Sequence, residues 1–258
     1  MNYMLAGVLC TIGLLAGILV VMEFGRRLGV RRLAEYGGDA ATGVAAVEGG
    51  VFALLGLLLA FTFSGAASRF DTRRQQIVEE ANNIGTAYLR IDLVPAEFQP
   101  ELRETFRQYT DSRITVYRKV PDFEAVRAEL ARGADLQKRI WTLAVAGSRD
   151  ADSPAARMLL LPALNAMFDI TTTRTFASQI HPPALVFVML LILMLASSFL
   201  AGHAMAAAKH RGRLHMLCFA VVMSATAYII LDFEFPRLGL MRIDNFDQVI
   251  VDVRAGMR

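Results

Sequence analysis

The chain has 258 residues, of which 55% are hydrophobic and 20% charged, with 27 Lys and Arg against 24 Asp and Glu. Its mean hydropathy of +0.41 is concentrated in four apolar runs that flank one long charged stretch. This pattern excludes a disulfide scaffold, a disordered chain and an ordinary soluble enzyme, and a net charge of +3 is too slight to attract nucleic acid.

A membrane-spanning helix needs about 20 predominantly apolar residues. The first run, Met4 to Met22, has no basic segment before it, and Glu23-Phe24-Gly25-Arg26 is no cleavage site, so it reads as a retained helix rather than a signal peptide. The second runs from Gly43 to Ala67 with Glu48 inside it, the third from Ala184 to about Met205, and the fourth from Leu214 to Leu231. Arg26, Arg27, Arg31 and Arg32 mark one short loop, and Lys209, Arg211 and Arg213 mark another. The positive-inside rule makes both cytoplasmic and puts the termini and the long middle segment on the non-cytoplasmic side of the cell inner (plasma) membrane. Arg69, Arg73 and Arg74 after the second span are a contrary signal, outweighed because long domains translocate regardless of charge.

The segment between the second and third spans reads as helical. Phe70, Ile77, Ala81, Ile84, Tyr88 and Ile91 keep helical steps, and no breaker separates them from the second span. One continuous helix to about Asp92 is therefore expected, with Glu79 and Glu80 on its solvated face. Pro95 suits the first turn of the next helix, which carries Phe98, Leu102, Phe106, Tyr109, Val116 and Tyr117 and ends at Pro121. Asp122 is a candidate cap for a third helix, and Gly147 to Asp152 reads as a turn. Ser153-Pro154 then opens a fourth helix, which Pro162 should kink or split.

The expected fold is an all-α integral membrane protein with four transmembrane helices and a helical bundle inserted between the second and third. The divisions are residues 1–67, 68–183, 184–232 and a tail at 233–258.

Small residues recur on the second span at Ala46, Gly50, Ala53, Ala60, Ser64 and Ala67, a pattern that lets helices approach closely in lipid. It serves either packing within the chain or the axis of a ring of subunits. In the second case Glu48, Gly50, Ala53, Ala60 and Ser64 line a pore, and Arg69, Arg73 and Arg74 stand at its mouth. A carboxylate inside a span usually faces a partner or a watery cavity, although Glu48 is close to the interface. The Thr62 hydroxyl reads more simply as bonded to a preceding carbonyl. His181, His203, His210 and His215 match no zinc spacing, and no phosphate loop, nucleophile elbow or other cofactor motif is present. Asp232, Glu234 and Arg237 read as interfacial charges at a helix end.

Four segments carry a family resemblance: Gly56 to Phe63, Ser68-Arg69-Phe70-Asp71-Thr72-Arg73-Arg74, Glu79-Glu80-Ala81-Asn82-Asn83 through Arg90, and Tyr109 to Arg113. With Leu231-Asp232, Pro236 and Gly239 after the fourth span, they resemble the bestrophin-like family of membrane proteins. The resemblance implies distant kinship with bestrophins, pentameric anion channels whose second helix lines the pore. A homo-oligomeric ion channel is thus the first functional expectation, with five subunits by analogy only. A Glu48 ring favours cations and the basic cluster favours anions, so the sign of the ion stays open. The alternative is a membrane-anchored sensor or scaffold whose bundle binds a partner or ligand. An enzyme, acting through His203 or Asp232, ranks last.

Overall fold

The computed structural model describes residues 3–36, 44–151, 154–207 and 212–257, all of whose regular elements are helical. They divide into two compact units, Met1–Phe70 with His181–Leu240, and Asp71–Ile180 with Met241–Arg258.

The first unit holds α1 (Tyr3–Tyr36), the N-terminal part of α2 (Val44–Leu89), α6 (Ala184–Ala204) and α7 (Arg213–Glu234). Among the described residues, these four are the helices long and apolar enough to cross a membrane. The arginines expected in the first loop lie instead on α1, which continues to Tyr36. Glu23 pairs with Arg26 at 2.8 Å and Arg27 at 2.9 Å, the one-turn spacing that supports a helix, and no breaker interrupts the run.

Alpha-helical surfaces approach most closely where side chains are absent, and α1 uses this against α6. A Cβ on Gly25 would fall 2.2 Å from the Phe199 carbonyl oxygen, and one on Gly202 would fall 2.0 Å from that of Met22. Beside this crossing, Ile18, Met22, Met216 and Ala220 form one core cluster. Leu55 and Ala66 of α2 form a second with Leu190 and Met194 of α6 and Ala227 and Ile230 of α7.

The second unit holds the rest of α2, α3 (Gln99–Arg118), α4 (Phe123–Asp150), α5 (Leu161–Ala177) and α8 (Gln248–Ala255). The helix expected at Pro95 begins at Gln99, because Phe98 N–H bonds the Pro95 carbonyl in a turn and Pro100 occupies the first helical turn. Asp122 caps α4 by accepting the Ala125 N–H at 3.0 Å. The turn expected from Gly147 is absent, since α4 runs on to Asp150. Gly147 serves close packing there: a Cβ would meet Phe98 and Val94 at 3.1–3.2 Å. Ser153 of the expected N-cap lies outside the described residues. Pro162 falls where the expected helix is split: a π-helical stretch at Ala156–Leu160 gives way to α5 at Leu161, with the proline in its first turn. From the C-terminal segment, Arg254 of α8 binds the Asp111 carboxylate of α3 at 2.8 and 2.9 Å.

Candidate functional site

In the first unit the candidate residues of α2 fall on two different faces. At 3.6 residues per turn, two positions subtend about 200°, so Glu48 and Gly50 lie on nearly opposite sides. Gly50, Ala53, Ala60 and Ser64 are all exposed, and no neighbouring group comes within 4 Å of a Cβ on Gly49, Gly50 or Gly56. Leu55 and Ala66, on the other side, are packed against α6 and α7. Glu48 turns away from the small-residue face, with Oε1 at 3.8 Å from His203 Nδ1 of α6. Thr62 Oγ1 donates to the Leu58 carbonyl at 2.7 Å, as expected.

The three arginines after the span all have partners. Arg69 donates through Nε to Glu234 Oε1 at 2.8 Å, and His181 Nδ1 lies 3.3 Å from the other oxygen. The Glu234 side chain has no exposed surface, and the His181 ring stacks on Phe235 at 4.5 Å. Arg73, in the second unit, is buried and donates to the Ala177 and Ile180 carbonyls after α5. It satisfies groups that a helix end leaves open. Arg74 binds Asp71 at 3.1 Å and lies over the Phe246 ring.

Beyond Glu234, the Asp232 carboxylate accepts the Leu240 N–H at 2.8 Å. A Cβ on Gly239 would sit 1.4 Å from Asp232 Oδ1. The Asp and Gly of the Leu-Asp-x-x-x-Pro-x-x-Gly pattern are therefore one device: the carboxylate closes a turn that has room only for glycine.

The second unit holds a charged core that contradicts the expectation for Glu80. Glu80 is fully buried, while Glu79 is exposed as expected. Arg113 Nε binds Glu80 Oε1, Arg113 Nη2 lies 3.3 Å from Oε2, and Arg174 Nη1 reaches the same oxygen at 2.6 Å. Arg174 Nη2 donates onward to Asp247 at 2.7 Å, and its guanidinium lies 3.8 Å from the Tyr117 ring centroid. Two cations and two anions thus balance. Burial works against both arginine charges, but the neighbouring Tyr117 and Glu80 groups hold both pKa values above the ordinary arginine value.

A signal for this core was present in the sequence. Glu80 falls three residues after Ile77 and four before Ile84, inside the apolar stripe; Arg113 keeps the same register with Tyr109 and Val116. The apolar count hid them, because a charge in such a stripe is admitted only where partners arrive from elsewhere in the chain.

Beside the core, residues of α3, α4 and α5 line an open cavity of about 320 Å³. The Tyr109 hydroxyl at its wall lies 2.8 Å from Thr171 Oγ1 and accepts from Gln137 Nε2 at 3.2 Å. Burial pushes the Tyr109 pKa up, which keeps the phenol neutral. Among the described residues, no group of His, Cys, Asp and Glu has a metal-holding arrangement.

Four apolar helices of sufficient length define a multi-pass membrane protein with a bilayer as its environment. Residues 12–245 match the bestrophin-like domain family, and the chain belongs to that family. No curated protein and no solved structure matches it.

Proposed function

We propose that the protein is a homo-oligomeric ion channel of the cell inner membrane, with the second membrane span of each subunit lining a central pore. The observation that carries this reading is the uncovered face of α2 at Gly50, Ala53, Ala60 and Ser64, set opposite the face that the other helices cover. Small residues let copies of such a helix approach closely in lipid, where packing drives association. Membership of the bestrophin-like family supports the same reading and, by analogy with bestrophins, five subunits.

In this proposal the span is continuous with the helix of the bundle at 68–183, and the bundle and both termini lie on the non-cytoplasmic side. Gly50, Ala53, Ala60 and Ser64 form the wall. Glu48 stands behind it with His203, and Arg69 and Arg74 stand at the mouth.

The test begins with the mass of the detergent-solubilised protein by light scattering, followed by single-channel recording in planar bilayers. In a Cys10→Ala/Cys218→Ala background, Ser64→Cys is treated with a charged thiol reagent during recording. A discrete assembly of four or more subunits, with currents altered by the reagent, is the expected result. A monomer or dimer, or currents untouched by modification, overturns the reading.

A second reading, a sensor whose bundle binds a small ligand, is favoured by the cavity beside the charged core.

A further inference from the structure

We propose that the cavity between α3, α4 and α5 is a binding site for a small carboxylate with an apolar body, held on Arg113. The inference deepens the sensor reading and stands within one unit, whether or not the chain conducts ions.

A guanidinium carries five N–H donors. Arg113 uses three of them, Nε and one of Nη2 on Glu80 and the other of Nη2 on the Tyr117 hydroxyl at 2.7 Å. The two on Nη1 have no hydrogen-bond partner among the described residues. Arg113 is 1% exposed and lines the cavity, so a permanently charged, buried group faces that space with donors to spare.

The rest of the wall fits the same ligand. Among the described residues, Arg113 is the only charged side chain on it, with no Asp or Glu to repel an anion. Gln137 and Thr171 supply further polar contacts, whereas Leu130, Ala134 and Phe176 are apolar. Small-molecule sites occupy about 300–1,000 Å³, lined by apolar groups with a few convergent polar ones. A cavity of about 320 Å³ is at the lower end, suited to a single-ring or short-chain acid. Glu80 and Asp247 already balance the two arginines, so attraction comes from directed donors at short range rather than from net charge.

Trp141, the single tryptophan of the chain, reports on the site. It lies one turn beyond Gln137 on α4, with its ring 6.5 Å from that of Phe168. The experiment titrates full-length protein in detergent with benzoate and with benzamide, its uncharged twin, and reads Trp141 fluorescence. Saturable binding of benzoate, about tenfold or more tighter than benzamide, is expected from charge-assisted bonds. Ala134→Phe, which fills the cavity from an exposed position, should abolish it. Arg113→Lys, which keeps the charge and removes the Nη1 donors, should weaken it by a similar factor. Because Arg113 also supports the core, each variant is checked by circular dichroism, and Ala134→Phe decides the matter where Arg113→Lys unfolds. No saturable response, equal affinity for the two probes, or undiminished binding in Ala134→Phe overturns the proposal.

Discussion

Glu80 and Arg174 are 94 residues apart in the chain and meet at 2.6 Å in a core with no exposed carboxylate surface. Arg113 takes the other oxygen of the same carboxylate. A buried ion pair adds little over a well-packed apolar substitute, yet removing one partner leaves an uncompensated charge at a cost of about 3–5 kcal/mol. Glu80→Gln should therefore strip most of the stability from the helical unit, read as a large fall in thermal midpoint by circular dichroism. Glu79→Gln, one residue away and exposed, should leave it unchanged. Equal behaviour of the two variants would show that the core charge is dispensable.

The crossing of α1 and α6 makes a sharper steric prediction. Gly25→Ala and Gly202→Ala each place a methyl group about 2 Å from a backbone carbonyl oxygen, which no side-chain rotation relieves. Both should cut the yield of folded, monodisperse protein from membranes. Gly13→Ala on the same helix meets no neighbouring atom within 4 Å and should be tolerated. The three variants compared by size-exclusion profile give the answer directly.

Gly239→Ala tests the turn after α7. Its methyl group would occupy the place of Asp232 Oδ1, so the bond from Leu240 N–H must break. Asp232→Ala removes the same bond from the other side. The double variant should then be no less stable than Gly239→Ala alone, because residues in one contact do not add. Fully additive losses in thermal midpoint would contradict the shared device.

Glu129 gives the pH dependence. Burial would raise its carboxyl pKa, but the Lys119 ammonium donating at 2.8 Å and Arg132 at 3.4 Å hold it below the ordinary value. A lowered folded-state pKa contributes stability above the unfolded pKa and loses it as pH falls through the folded one. Wild type should therefore lose thermal stability on acidification from about pH 6 to about pH 3, and Glu129→Gln should start lower and fall less steeply. Parallel curves would remove Glu129 from the acid limb.

Much of this architecture was legible in the chain. The four apolar runs match four helices, Asp122 caps α4, and Thr62 bonds back to its own helix, because each depends on neighbours within a few residues. Gly147 misled for one reason: glycine punctuates loops on average, yet a glycine under Phe98 serves contact. The charged core was hidden for another. Only register with the apolar stripe separates Glu80 from Glu79 locally; what makes the burial possible is the arrival of Arg113, Arg174 and, through Arg174, Asp247.

That arrangement sets an order of events during synthesis. Translation delivers Glu80 first, Arg113 and Arg174 later, and Asp247 only after the whole of α7 has been made. Until then two guanidiniums share one carboxylate, and the nascent unit carries surplus positive charge at its centre. Asp247 completes the balance: a polypeptide lacking it keeps every apolar run yet lacks the counter-charge that finishes the core.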